Sequence, residues 1–129
     1  MLVCALGDLV LDVVVRLAAP PAEGGDTPAE IVLGPGGQAA NVAAWAVELG
    51  ASARLVCKSG ADNAGRLVRD GLTGRGVEVV GPIEGSTGVV CALVAEDGQR
   101  SMATNRGVAP TLAATDLDPG WFEGRDHLF

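Results

Sequence analysis

The segment Gly34-Pro35-Gly36-Gly37-Gln38-Ala39-Ala40-Asn41 concentrates the residue types best suited to holding a small molecule. An apolar run, Ile31 to Leu33, stops at the glycines, which open onto Ala39 to Leu49, a stretch that reads as a helix ending at Gly50. Glycines at a helix start let a ligand approach bare backbone. The first N–H groups of a helix lack internal partners and carry partial positive charge, so this arrangement suits hydroxyls or a phosphate.

The same residues also fit the dinucleotide pattern GxGxxA at Gly34, Gly36 and Ala39. That fingerprint belongs in the first strand–helix–strand unit, with an acid closing the next strand to hold a ribose. Here the next strand closes at Cys57-Lys58-Ser59, which holds no acid, and Pro35 intrudes into the turn. The dinucleotide reading is set aside.

The elements that must position this segment follow from the apolar pattern. Leu2 to Leu6 is a short continuous apolar run, suited to a buried strand of a parallel sheet. Val10 to Leu17, Glu30 to Leu33, Ala53 to Lys58 and Val77 to Val80 read as further strands. The helix Ala39 to Leu49 presents Val42, Trp45, Ala46 and Leu49 on one face, expected to be its core side. Asp62 caps a second helix, Asn63 to Thr73, with Leu67, Val68 and Leu72 expected inward. Thr87 to Ala95 and Gln99 to Thr104 flank Glu96-Asp97-Gly98, a hairpin signal. Thr115 to Pro119 opens a short helix, and Asp126 to Phe129 reads as the start of another buried strand. The rhythm is that of an α/β parallel sheet with an antiparallel hairpin added. Because the chain stops on that strand, it is expected to be the N-terminal part of a larger protein.

Composition narrows the function classes. At 129 residues and 48% hydrophobic, the chain can build one domain with a real core. Only 3% is aromatic, so Val, Leu, Ala and Ile must fill that core. No apolar run reaches the roughly 20 residues of a membrane span. Lys and Arg number 9 against 16 Asp and Glu, a net charge of -7. That balance, with no basic run, argues against a nucleic-acid surface. Cys4, Cys57 and Cys91 lie far apart inside apolar runs, with no CxxC or Cys/His cluster. They are expected to be buried thiols of a cytoplasmic protein, without a metal site. Asp8 and Asp12 interrupt the one segment that could pass for a leader, Met1 to Ala22. His127, the single histidine, is expected to have no catalytic part, and Trp45 and Trp121 to serve packing.

The ordered set of motifs resembles the ribokinase-like, or PfkB, carbohydrate kinase family. The residues that carry it are Gly36-Gly37-Gln38-Ala39-Ala40-Asn41, then Leu49-Gly50-Ala51, then Val56-Cys57-Lys58-Ser59-Gly60 and Gly60-Ala61-Asp62-Asn63-Ala64-Gly65. Gly7-Asp8-Leu9-Val10-Leu11-Asp12 resembles the family's first strand, Gly24-Gly25-Asp26-Thr27 its first lid turn, and Thr104-Asn105-Arg106-Gly107 the return from the lid. The resemblance covers essentially the whole chain. It implies a three-layer Rossmann-like α/β domain with a small antiparallel β lid, residues 1–129 being its N-terminal part and the lid coming from about 13–33 and 87–104.

The family transfers the γ-phosphoryl group of ATP to a sugar or nucleoside hydroxyl, so the resemblance implies ATP and Mg for the complete enzyme. It places Asp12 where a carboxylate accepts hydrogen bonds from substrate hydroxyls. Gly36 and Gly37 give backbone access, Asn41 offers donor and acceptor, and Arg106 could meet a phosphate or acidic group. Gln38 stands where the ribokinase branch has Lys, and Val10 where that branch has a substrate-binding Asn, which puts ribose in question. The family's catalytic Asp lies in a Gly-Ala-Gly-Asp motif further along, and this chain holds no catalytic residue; Gly60-Ala61-Asp62 sits at a helix start and reads as a cap. The expectation is the substrate-binding and lid portion of an ATP-dependent sugar kinase. The alternatives are a nucleoside kinase of adenosine type, or a non-catalytic metabolite-binding fragment that forms a homodimer through the lid sheet.

Overall fold

In the computed structural model, which describes all 129 residues, the chain runs β1 (Leu2–Leu6), β2 (Val10–Leu17), β3 (Ala29–Gly36), α1 (Gln38–Glu48), β4 (Ser52–Val56), α2 (Asn63–Thr73), β5 (Val77–Val80), β6 (Thr87–Val94), β7 (Arg100–Gly107), three 3₁₀ turns between Ala109 and Phe122, and β8 (His127–Leu128). These form two four-stranded sheets. The core sheet has the order β5-β4-β1-β8, with every pair parallel. The lid sheet has the order β3-β2-β6-β7; its outer pairs are antiparallel and its central pair, β2 with β6, is parallel.

The core sheet buries one face against the two helices, where its strands present apolar side chains. Ala5, Ala53, Leu55 and Val77 pack with Ala39, Ala40 and Ala43 of α1 and with Val68 and Leu72 of α2. Strand alternation puts Cys4, Arg54 and Glu78, paired across three strands, on the opposite face. That face is covered by the 3₁₀ turns, not by helices: Arg54 donates to the Trp121 carbonyl at 2.7 Å and to Glu78 at 2.7 Å. The short helix expected at Thr115 to Pro119 takes the form of two of these turns, Ala114–Asp116 and Pro119–Phe122.

Two packing expectations are corrected. Trp45 is 65% and Leu49 82% exposed, so the buried face of α1 is the alanine face. Alanines let the helix axis lie close to the sheet, and the bulkier apolar side chains are turned outward. Leu67 is likewise exposed, while Val68 and Leu72 are buried. At the C-terminal end, β8 pairs with β1, and Leu128 and Phe129 are about half exposed. The cysteines are free, with Cys4 and Cys57 buried and Cys91 partly so. No helix is long and apolar enough to cross a membrane.

Candidate functional site

Asp12 lies in the middle of β2, opposite Gly34 of β3 and Val90 of β6. Two residues beyond Gly34, Gly36 closes β3 against Val10. The Asp12 carboxyl sits so near the Gly36 α-carbon that a Cβ there would overlap it. Glycine is therefore required at 36 by the close approach of a charged side chain. Burial pushes the Asp12 carboxyl above its ordinary value, and no hydrogen bond offsets that push.

Gly37 follows as the N-cap of α1, at φ 102°, a conformation that disfavours any side chain. A Cβ at Gly37 would also overlap the Asp8 carbonyl. No side chain caps α1, and its first internal bond is Asn41 N–H to the Gly37 carbonyl. The N–H groups of residues 38–40 thus have no helical partner at the positive end of the helix, with Gln38 exposed and Ala39 and Ala40 buried.

Asp8, in the turn between β1 and β2, accepts hydrogen bonds from Arg106 Nη2 at 2.5 Å and Nε at 3.2 Å. Arg106 stands at the end of β7, and its side chain is 58% exposed. Its neighbour Gly107 turns the chain out of the lid, with its N–H donated to Asn105 Oδ1 at 2.9 Å. A continuous line of contacts therefore runs from Asp12 to Gly36 and Gly37, then to Asp8 and Arg106. Gln38 and Asn41 lie elsewhere, on the outer side of α1. There they border a cleft of about 550 Å³ with Met1, Val3, Val42 and Trp45.

Asp8 has no basic residue near it in the sequence to pair with. Its partner is 98 residues away, and no local pattern signals such a pair. Lys58 carries no local signal either. It is 6% exposed at the end of β4, and its ammonium meets Glu84 at 2.6 Å and Asp116 at 3.1 Å. The hydrogen bond to Glu84, then that to Asp116, raises its pKa. Its role is to join the 81–86 connection and the 3₁₀ layer to the core sheet. Asp62 behaves as the helix cap expected of it, accepting from Gly65 N–H at 2.8 Å.

Nothing among these residues fits a nucleotide or a metal. The uncapped helix start is flanked by the Asp12 carboxylate, which would repel a triphosphate, and no three acidic, His or Cys side chains converge.

Comparison with known proteins bears on the fold and the family. The family described as pfkB family carbohydrate kinase matches residues 1–127. An ATP-dependent ribose-1-phosphate kinase of Halopiger xanaduensis is 35% identical over 96 residues, covering 72% of this chain and 32% of that protein. Ribokinase from Cryptococcus neoformans, solved in complex with ADP, superposes with a TM-score of 0.74 at 21% identity, covering 98% of this chain and 39% of that one. Adenosine kinase from Sinorhizobium meliloti gives 0.73 at 24% identity, covering 90% and 42%. The chain thus spans about a third to two fifths of the length of these relatives.

Proposed function

Because the chain belongs to the pfkB family of carbohydrate kinases, we propose that it forms the substrate-binding and lid portion of an ATP-dependent kinase acting on a sugar hydroxyl. The observation that carries this reading is the Asp12 carboxyl held against Gly36, immediately before the uncapped start of α1. An ionised carboxylate accepts from two neighbouring hydroxyls, each bond worth about 1.5–3 kcal/mol. The unpartnered N–H groups of α1 offer donors to the hydroxyl oxygens. Gln38 and Asn41 border the separate cleft on the outer side of α1 and are not part of this arrangement. What the chain supplies is positioning, which is most of what phosphoryl transfer asks of a protein.

The test is titration of the isotope-labelled chain with D-ribose and with a panel of other sugars and nucleosides. Amide signals of residues 36–41 are expected to shift, and the shifts to vanish in Asp12→Ala. Equal shifts in the variant would remove Asp12 from the site. ATP added with the sugar is expected to remain unconsumed, because the family's Gly-Ala-Gly-Asp motif does not occur in these residues and Asp62 is engaged as a cap by Gly65 and Thr87. Turnover by this chain would overturn that assignment.

A phosphorylated sugar is the second reading, favoured by the Halopiger relative and by Arg106. The exposed Arg106 guanidinium could exchange Asp8 for a phosphate. Ribose-1-phosphate would then shift the same amides at lower concentration than ribose, and Arg106→Ala would abolish the difference.

The lid also offers a surface for self-association. Ile31, Leu33 and Leu93 are 60%, 54% and 41% exposed and, by register, share one face with Val13 and Val15. A homodimer would cover it. Sedimentation that shows a monomer at every concentration would exclude this.

A further inference from the structure

The lid joins the core at four roots: Leu9 into β2, Gly37 out of β3, Ser86 into β6 and Gly107 out of β7. At the β6 root a core side chain fastens the lid. One oxygen of Asp62 accepts the Thr87 backbone N–H at 2.9 Å. Its other oxygen accepts the Thr87 hydroxyl at 2.5 Å and the Gly65 N–H at 2.8 Å. One carboxylate therefore caps α2 and holds the first residue of β6.

The surroundings leave this fastening little room to move. Thr87 is 7% exposed. A Cβ at Gly60 would overlap Thr87, and one at Gly65 would overlap the Gly60 carbonyl. Arg69 braces the loop from behind, donating to Ser59 Oγ and to the Gly60 carbonyl, both at 2.8 Å. From Thr87, β6 runs parallel to β2 through seven paired positions, with Val90 opposite Asp12. Asp12 is thus three residues along the ladder from the fastened point. Thr87 is also paired across to Gly107, so the β7 root is tied to the same place.

We propose that Asp62 is a positioning residue for Asp12: by fastening β6 at Thr87, it keeps the lid at the angle that sets the Asp12 carboxyl beside the start of α1, while the contact with Gly36 is fixed within the lid by the β2–β3 register. The inference rests on this geometry alone and goes beyond the sugar-kinase reading, because it concerns where Asp12 is held and not what it binds. The other tie between lid and core, Arg106 with Asp8, is exposed and serves as the internal control.

The experiment is amide hydrogen exchange on the whole chain, read together with carboxyl titration of Asp12 by NMR. Asp62→Asn places an amide NH₂ beside donors that need an acceptor. Exchange at Val89, Val90 and Cys91 is expected to rise about ten- to a hundredfold, the range of one charge-assisted hydrogen bond. Ala53 and Leu55 of β4 are expected to keep their protection, and Asp12 to titrate closer to an ordinary carboxylate as the lid swings away. Thr87→Val removes the hydroxyl without touching the α2 cap and is expected to act in the same direction with a smaller effect. Thr87→Ser is expected to match the wild type. An Asp62→Asn protein whose Asp12 titration is unchanged, or whose exchange rises equally in both sheets, would make Asp62 a helix cap and nothing more. If Asp62→Asn does not fold, the Thr87→Val protein decides the matter by the same two readouts.

Discussion

The core sheet and the lid sheet are built from similar residues and held in opposite ways. Ala5, Leu55 and Val56 of the core are fully buried, while every residue of β7 in the lid is exposed. Val13, Val14 and Val15 are all half-buried, so the lid is apolar on both faces and has no interior of its own. Its order comes from ladder hydrogen bonds and from its four roots. This contrast shows where substitutions act: in the core they act through packing, in the lid through attachment.

Truncation of matched leucines breaks the comparison most directly. Leu55→Ala, at a fully buried position between the helices, is expected to cost about 2–5 kcal/mol in urea denaturation, the lost transfer energy plus a cavity. Leu33→Ala, at a position 54% exposed in the lid, is expected to change stability by about 0.5 kcal/mol or less. Comparable losses at the two sites would mean that the lid has a covered face after all, as a dimer would give it.

The same contrast governs what was legible beforehand. The strand β1 announces itself as an unbroken apolar run, β4 and β5 as mostly apolar ones, and Asp62 and Gly50 mark helix ends, so most elements could be read from the sequence. Asp97-Gly98 gave the β6–β7 hairpin. The buried side of α1 was not legible, because both of its faces are apolar. Periodicity cannot say that alanines, which allow the closest approach, win over Val42, Trp45 and Leu49. The parallel pairing of β2 with β6 joins strands from opposite ends of the chain, and the Asp8–Arg106 pair does likewise. Local pattern carries neither. Within the site, the Asp12–Gly36 contact follows from a pairing register, which turn residues and strand lengths set only together.

Acid sharpens the comparison, since it should loosen the lid before the core. The hydrogen bonds from Thr87, then from Gly65, hold the Asp62 carboxyl down at about 2. The lowered folded-state pKa means that its stabilisation is complete above its ordinary range, near 3.8, and is lost as pH falls through about 2. Asp116, lowered first by the Ala113 N–H and then by Lys58, acts with the same sign. Asp12 opposes them: its pKa is raised by burial, so protonation relieves a cost and adds stability on acidification. Melting curves between about pH 5 and about pH 2 are expected to fall less steeply for Asp62→Asn than for the wild type, and more steeply for Asp12→Asn. Parallel curves for all three proteins would deny that these carboxyls control the acid limb.

The smallest effect is expected at the Asp8–Arg106 tie. It spans the same two sheets as the Asp62–Thr87 tie, and its geometry is as short, but the Arg106 side chain is 58% exposed and the Asp8 side chain 27%. An ion pair reached by water gains little and is screened by salt. A double-mutant cycle of Asp8→Asn and Arg106→Gln is expected to return a coupling below about 1 kcal/mol, shrinking further as salt is raised. A larger, salt-insensitive coupling would place the second attachment of the lid at β7, and β6 would lose its claim to be the point from which Asp12 is held. Since Asp8 touches Gly37 through its backbone, which neither substitution alters, the cycle tests the charge pair without disturbing the helix start.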